Sequence, residues 1–82
     1  MIRVNVKLLA LARDLAGTNE TVLSLEPNTK ISSLIDSLVQ QYPRFRDWKN
    51  YLRFAVNYEY VDNNYVLHDN DEVAVIPPVS GG

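Results

Sequence analysis

The residues best suited to chemistry lie at the end of the chain, which reads Pro77-Pro78-Val79-Ser80-Gly81-Gly82. Glycine has no Cβ, so Gly81 and Gly82 could pass through a channel that excludes every larger residue. The two prolines favour an extended start, and the six residues would then reach roughly 20 Å. An arm of this kind, ending in a reactive carboxylate, suits entry into the active site of another protein. The alternative interpretation is a frayed or artificial terminus.

The remaining candidates for catalysis are few. The chain has no cysteine, which excludes a thiolate nucleophile, a disulfide framework and a cysteine zinc site. His68, next to Asp69 and near Asp71, could form a catalytic or metal-binding pair. We favour the simpler interpretation, an exposed histidine in a turn, because one histidine has no partner of defined geometry. The sequence therefore predicts no catalytic residue and no metal ligand in this chain.

Two further groups of side chains could bind a ligand. One group consists of four bases: Arg44, Arg46, Lys49 and Arg53. The other consists of three tyrosines: Tyr58, Tyr60 and Tyr65. The bases could hold an anion, although a solvated loop is the favoured interpretation. The tyrosines could stack on nucleic-acid bases, but the acidic residues around them favour packing across strands instead.

Composition and charge narrow the class of protein. The 82 residues suffice for one small domain, and a net charge of −2 with a pI near 5.1 disfavours nucleic-acid binding. All eight Lys and Arg residues lie at or before Arg53, whereas five acidic residues follow it. This asymmetry indicates either a partner with a basic surface or a solvated acidic face. No apolar run approaches the ~20 residues of a membrane span, and the N-terminus lacks the apolar stretch of a signal peptide. We therefore predict a cytoplasmic protein.

Hydrophobic periodicity predicts the elements that carry the tail. Residues 2–8 alternate between apolar and polar, as in a half-buried strand. Residues 20–26 resume strand character, and short strands are predicted near 54–57 and 60–61. The last strand, 72–76, is apolar on both faces, so we expect it in the middle of the sheet. One apolar stripe predicts a helix: Ile31, Leu34, Ile35, Leu38, Val39 and Tyr42.

The ends of that helix and the order of the elements complete the prediction. Thr29 or Ser32 could cap the helix, Ser33–Asp36 fits a capping box, and Pro43 marks its end. One long helix must then cover one mixed sheet, with the first and last strands adjacent and parallel. The predicted fold class is α+β, a ubiquitin-like β-grasp. We expect the β-grasp domain to span residues 1–76 and the extended C-terminal tail to span residues 77–82.

At this point the sequence resembles a known family, the small subunits of molybdopterin synthase. Residues 71–74 and 76–82 look like the C-terminal signature of these sulfur carriers, which act in molybdenum cofactor biosynthesis. Residues 10–17 are similar to the family segment that follows the first strand, and residues 55–57 match the end of its third strand. The resemblance covers nearly the whole chain, and the tail is its most specific part.

The resemblance implies a mechanism and a set of partners. A ubiquitin-activating-like adenylyltransferase would use ATP to adenylate the carboxylate of Gly82, and a sulfur donor would convert it to a thiocarboxylate. The tail would then enter the large synthase subunit and deliver sulfur to cyclic pyranopterin monophosphate. The implied assembly is a heterotetramer with two carriers on a dimer of large subunits. The chain would hold no permanent cofactor, contact no nucleic acid or membrane, and act as a co-substrate.

The resemblance also assigns roles to individual residues. Gly82 would carry the sulfur and Gly81 would fit the narrow channel. Four residues would line the insertion path: Pro77, Pro78, Val79 and Ser80. Leu9 and Val75 would make apolar contacts with partners, and Arg13 a polar one; the first two positions are often aromatic in the family. Alternatives sharing the activation step are a sulfur carrier for thiamine synthesis or tRNA thiolation, and a ubiquitin-like modifier that forms isopeptides through Gly82. A third class is a ubiquitin-like interaction module.

Overall fold

The computed structural model describes residues 1–78. In that part of the chain, five strands form one mixed sheet: β1 (Ile2–Leu8), β2 (Glu20–Leu25), β3 (Arg53–Val56), β4 (Glu59–Val61) and β5 (Glu72–Ile76). Two α-helices, α1 (Leu11–Ala16) and α2 (Ile31–Gln41), and two 3₁₀ turns, at Pro43–Asp47 and Lys49–Tyr51, complete the fold. The predicted order of strands and of the main helix is confirmed.

The sheet has the strand order β2-β1-β5-β3-β4. β1 pairs antiparallel with β2 and parallel with β5, so the first and last strands are neighbours, as predicted. β5 lies in the centre, and its other neighbour is β3. Alternation decides which side of each strand is buried, since successive side chains point to opposite faces of a sheet. In β1, Val4, Val6 and Leu8 are buried against the core.

Helix α2 covers the buried face of the sheet. Ile31, Leu34 and Leu38 are fully buried and Ile35 nearly so, as the apolar stripe predicts. Burying each such side chain contributes about 1.5–3 kcal/mol as an upper estimate, so α2 and the sheet hold the domain together. The chain leaves helical geometry at the residue before Pro43 (φ −129°, ψ 84°), because the proline ring disfavours the α region there.

Helix α2 begins at Ile31, the first residue of the predicted stripe, but the caps suggested by the sequence are wrong. The residue before the helix is Lys30, and no side chain caps the first turn. Thr29 instead donates from its hydroxyl to the carbonyl of Glu26 at 2.6 Å, which closes the preceding turn. The first backbone N–H groups of α2 instead donate to carbonyls of a distant segment: Ile31 N donates to Tyr65 and Ser32 N to Asn63. Tertiary contacts therefore replace the expected capping box.

Two segments acquire structure that the sequence pattern did not predict. Helix α1 is only six residues long, too short for a periodic stripe, and it ends at Gly17 (φ 77°), whose N–H donates to the carbonyl of Arg13 at 2.8 Å. The segment around Arg44, Arg46 and Lys49, interpreted from the sequence as a solvated loop, forms the two 3₁₀ turns, with Phe45 fully buried and Trp48 packed against the core. Both segments gather at the end of the sheet where β1 and β5 finish.

No helix in residues 1–78 is long and apolar enough to cross a membrane. The division into a domain of residues 1–76 and a tail of residues 77–82 stays a prediction.

Candidate functional site

The tail leaves the molecule from the centre of the sheet. β5 ends at Ile76, opposite Arg53 of β3, and the chain continues through Pro77 and the exposed Pro78. Neither proline can donate a ladder hydrogen bond, so the sheet pairing stops where the tail begins. The roles predicted for Val79, Ser80, Gly81 and Gly82 concern residues outside the part of the chain that the structure describes.

We call residues 76–78, where the tail begins, the tail root. An apolar groove lies beside the tail root. The groove has a volume of about 560 Å³. Its lining comes from the end of β1, the start of α1, the 3₁₀ region and the tail root: Leu9, Ala10, Leu11, Trp48, Ile76, Pro77 and Pro78. A groove lined by apolar side chains and open at the surface can take an apolar group from another protein.

Leu9 is a large apolar side chain of the groove that is exposed to solvent. It is 47% exposed, directly after the end of β1. The next residue, Ala10, has φ 49° and ψ −120°, a backbone geometry that is uncommon for a residue with a Cβ. This sharp bend turns the chain from β1 into α1 and leaves Leu9 outside both elements. The position of Leu9 fits the partner contact that the resemblance assigns to it, which stays a prediction.

Arg13 and Val75 occupy very different positions. Arg13 is exposed on α1, where its Nε lies 3.9 Å from Oδ1 of Asp14. A surface pair of this length contributes little to stability, so the guanidinium remains accessible. Val75 is fully buried in the core between β1 and β3. The expectation that Val75 contacts a partner is therefore corrected: its side chain faces α2, and Ile76 supplies the apolar surface at the end of β5.

His68 lies in a turn that a buried carboxylate holds together. Asp71 is only 6% exposed, and its Oδ2 accepts a hydrogen bond from the backbone N–H of His68 at 2.8 Å. Its Oδ1 accepts one from Nδ2 of Asn57 at 3.0 Å. The His68 ring is exposed, with Nδ1 3.9 Å from Asp71 Oδ2. Within residues 1–78 no group of three His, Asp or Glu side chains could hold a metal ion, so the interpretation as a turn histidine fits this geometry.

The bases of the Arg44–Arg53 segment have separate neighbours. Arg44 donates from Nη1 to the carbonyl of Asp14 at 3.1 Å, which ties the first 3₁₀ turn to α1. Lys49 lines a shallow depression with Asp36 of α2, and Arg53 lies beside Pro78. Dispersed in this way, these bases favour the solvated interpretation over a single anion site.

The three tyrosines do not behave alike. Tyr65 is half-buried, and its ring packs edge-on against His68 with the ring centroids 6.3 Å apart. Burial raises the pKa of its hydroxyl, with a smaller contribution from the nearby Asp71 carboxylate. Tyr58 and Tyr60 are exposed, so the expected packing across strands is wrong for both. The sequence pattern did not predict the apolar groove either. Leu11 and Trp48 reach the groove through α1 and the 3₁₀ turns, and neither of these was predicted.

Fold and site together define a class of protein. A five-stranded mixed sheet with parallel first and last strands, one long helix across it and a segment that leaves the central strand is the ubiquitin-like β-grasp architecture.

Comparison with known proteins gives the family. A model of the ThiS family matches residues 6–82, and the chain belongs to this family. The molybdopterin synthase sulfur carrier subunit of Mycobacterium tuberculosis is 39% identical over 83 residues, covering 100% of both chains. The human molybdopterin synthase sulfur carrier subunit is 34% identical over 85 residues, covering 100% of this chain and 97% of the human one. The resemblance seen in the sequence is thus confirmed: the chain is a homologue of these sulfur carriers.

Solved structures agree with the assignment. A putative molybdopterin converting factor subunit 1 from Pyrococcus furiosus superposes with a TM-score of 0.89 at 30% identity, covering 96% of this chain and 100% of that one. The small archaeal modifier protein 1 from Methanosarcina acetivorans gives a TM-score of 0.78 at 31% identity, covering 100% and 98%. Subunit 1 in a complex of subunits 1 and 2 of the molybdopterin-converting factor of Helicobacter pylori shares the fold, with a TM-score of 0.69 at 21% identity and coverage of 99% and 100%.

Proposed function

We propose that this protein carries sulfur on the carboxylate of Gly82 and donates it within molybdopterin synthase. The observation that carries the proposal is the pairing of the family match, which runs through Gly82, with the exposed apolar groove at the tail root. Curated relatives that align along the whole chain are sulfur carrier subunits of that synthase. The groove would seat an apolar part of the receiving protein while the tail extends into its active site.

The chemistry begins with activation of a poor electrophile. A carboxylate does not react with sulfur nucleophiles, so an adenylyltransferase joins it to the α-phosphate of ATP and releases pyrophosphate. The resulting acyl adenylate is a mixed anhydride. A sulfur donor then attacks its carbonyl carbon and AMP leaves. Sulfide gives the thiocarboxylate directly, whereas a persulfide donor gives an acyl disulfide, which a thiol then reduces to release the thiocarboxylate. Here the present chain contributes the acyl group, and the activating enzyme contributes the catalytic groups.

Delivery would take place in the large synthase subunit. The thiocarboxylate sulfur attacks a carbon of cyclic pyranopterin monophosphate and displaces an oxygen substituent, which forms a thioester between carrier and pterin. Water then hydrolyses the acyl–sulfur bond, so that the sulfur stays on the pterin and the chain returns to its carboxylate form. A dithiolene contains two sulfur atoms, so two loaded carriers are consumed for each product, which is consistent with a heterotetramer of two carriers and two large subunits. The reactions use soluble partners, in agreement with the cytoplasmic location proposed from the sequence. No cofactor held permanently by this chain takes part in the scheme.

A second candidate is a protein modifier, and one comparison favours it. The Methanosarcina protein, named a modifier, aligns with this chain from end to end. Activation of Gly82 would be the same, but the acyl group would pass to a lysine amine of another protein and form an isopeptide bond. Sulfur carriers for thiamine synthesis or tRNA thiolation also share the activation step and differ only in the final acceptor.

Intact-mass spectrometry after incubation separates these functions. The protein is incubated with its activating enzyme, ATP and a sulfur source, and then with the large synthase subunit and the pterin. A carrier gains the mass of one oxygen-to-sulfur exchange and loses it again as dithiolene product appears. A modifier appears in conjugates of higher mass that survive denaturation. If neither the exchange nor product formation occurs with the synthase subunit, the proposal is refuted.

Gly82 provides the matched variants. Deletion of Gly82 should abolish loading, because the activating enzyme would then meet Gly81 at the wrong distance, whereas Gly82→Ala should reduce loading through the added Cβ. Both variants should keep the melting temperature of the wild type, since a terminal residue contributes little to folding. Normal loading of the deletion variant would contradict the role of Gly82.

A further inference from the structure

The turn between β3 and β4 has an unusual backbone. Val56 pairs with Glu59, so only Asn57 and Tyr58 form the loop. Their φ angles are 51° and 73°, both in the left-handed region. A two-residue hairpin loop with both φ angles positive is the type I′ turn, which favours Asn at its first position and Gly at its second. The chain has a tyrosine at the second position, where its Cβ makes the backbone geometry unfavourable.

The neighbours of the turn stabilise Asn57 but not Tyr58. Asn57 donates from Nδ2 to the buried carboxylate of Asp71, and its Oδ1 accepts from the backbone N–H of Glu72 at 3.0 Å. Its own N–H donates to the carbonyl of Glu72 at 2.8 Å. The Tyr58 side chain is 91% exposed and forms no hydrogen bond with the described residues. Contacts within residues 1–78 therefore give no reason for a tyrosine at this position.

A strained residue with an exposed aromatic ring indicates a role outside the folding of its own chain. Tyr58 borders a shallow pocket of about 410 Å³ on the open face of the sheet. The rest of the lining comes from β1, β3 and β5 and the residue after β1: Lys7, Leu9, Ala55, Glu72 and Ala74. Leu9 also lines the groove at the tail root. One continuous surface therefore runs from the tail root across the small side chains of Ala74 and Ala55 to the ring of Tyr58.

The charges around Tyr58 specify what it would meet. Glu72 lies in the same pocket as Tyr58, and its carboxylate forms no ion pair within residues 1–78. Lys7 also lines the pocket, but it is held by Glu20, with Nζ to Oε1 at 2.8 Å. The local surplus is negative, and it agrees with the basic partner that the distribution of charge along the sequence suggests.

We propose that Tyr58 is a preformed docking anchor that receives a lysine or arginine side chain from the large synthase subunit. The cation would lie over the ring, where cation–π attraction operates, with Glu72 at its side. Aromatic residues held rigidly at the surface are frequent hot spots of protein interfaces. This inference rests on the proposed function, since the partner is the protein that accepts the loaded tail. It adds a second contact, away from the tail, that sets the orientation of the carrier.

The test compares two variants that lack the ring with one that keeps it. Tyr58→Gly removes the ring and the strain, Tyr58→Asn replaces the ring by a residue that tolerates the left-handed region, and Tyr58→Phe keeps the ring and the strain. For each variant, calorimetry measures the Kd for the large subunit, and a thermal melt measures Tm. We expect Tyr58→Gly to raise Tm by about 4 °C while weakening binding about tenfold or more. Tyr58→Asn should weaken binding similarly, and Tyr58→Phe should bind within about twofold of the wild type, because phenylalanine keeps the π face.

The charge component has its own variant. Glu72→Gln should weaken binding about threefold and reduce its dependence on salt. The inference is overturned if Tyr58→Gly and Tyr58→Asn bind as tightly as the wild type, or if Tyr58→Gly lowers Tm. If the wild type binds the large subunit and the Tyr58 variants bind equally well, this inference fails but the proposed function stands. Failure of the wild type to bind refutes the proposed function and this inference together.

Discussion

Removing the Asp71 carboxylate should destabilise the fold, because this buried group accepts hydrogen bonds from two separate turns. It is 6% exposed and accepts two hydrogen bonds, from the Asn57 side chain at 3.0 Å and the His68 backbone at 2.8 Å. Hydrogen bonds to a charged group contribute about 1.5–3 kcal/mol each. Asp71→Ala removes both and leaves two donors without their acceptor. We therefore expect the free energy of unfolding to fall by about 3–5 kcal/mol, a large part of the total for a domain of this size.

Urea denaturation measures this loss, and two further variants show its origin. Asp69 also accepts one backbone hydrogen bond, from Arg3 at 2.8 Å, but it is exposed. Asp69→Ala should therefore cost only about 1 kcal/mol. Asn57→Ala in the Asp71→Ala background should cost less than in the wild type, because the two residues share a bond. A loss below about 0.5 kcal/mol for Asp71→Ala, the range of ordinary surface substitutions, would refute the reasoning that the carboxylate holds the turns together.

The remaining predictions concern pH and the groove. The hydrogen bond to Glu20 raises the pKa of Lys7, and burial raises that of Tyr65. In both cases the folded state binds the proton more tightly than the unfolded state does. The stabilisation from each group is therefore fully present below the unfolded pKa and is lost as pH rises above about 10. Urea midpoints measured between pH 9 and about 11.5 should fall, and a constant midpoint would contradict the prediction. Leu9→Asp should weaken binding to the large subunit about tenfold with little change in Tm, whereas Val22→Asp, at 53% exposure against 47% for Leu9 and outside the groove, should do neither; equal effects in calorimetry would exclude the groove as the contact.

Several features of the fold followed from local pattern. Alternation in residues 2–8 predicted a strand buried on one side, and the two apolar faces of residues 72–76 predicted a central strand. The stripe of α2 predicted its buried side chains. These predictions succeed because burial selects side chains at the period of the backbone, and the period is visible in one chain. The α2 cap at Lys30 was not predictable, because its N–H groups bond to carbonyls some thirty residues further along the chain.

One part of the candidate site could likewise be predicted from the sequence, and the other part could not. The tail motif from Pro77 onward was evident from residue types alone, because diglycine and diproline act through their own backbone geometry. Its surroundings were not. Val75 and Ile76 are neighbouring apolar residues in the sequence, and only the packing of α2 against the sheet decides that the first is buried and the second lines the groove. The strain at Tyr58 likewise depends on the register of β3 with β4, which leaves two residues for the loop.

From its sequence alone, this chain was determined to be a β-grasp domain with a diglycine tail on its last strand, because period, charge and backbone preference are local properties. The groove at the tail root, the anchor at Tyr58 and the burial of Asp71 depend on segments far apart in the chain. Leu9, Trp48 and Ile76 line one groove, and Asn57 donates a hydrogen bond to Asp71. Only the tertiary structure decides such contacts, because each one forms when the strands pair in register within the sheet.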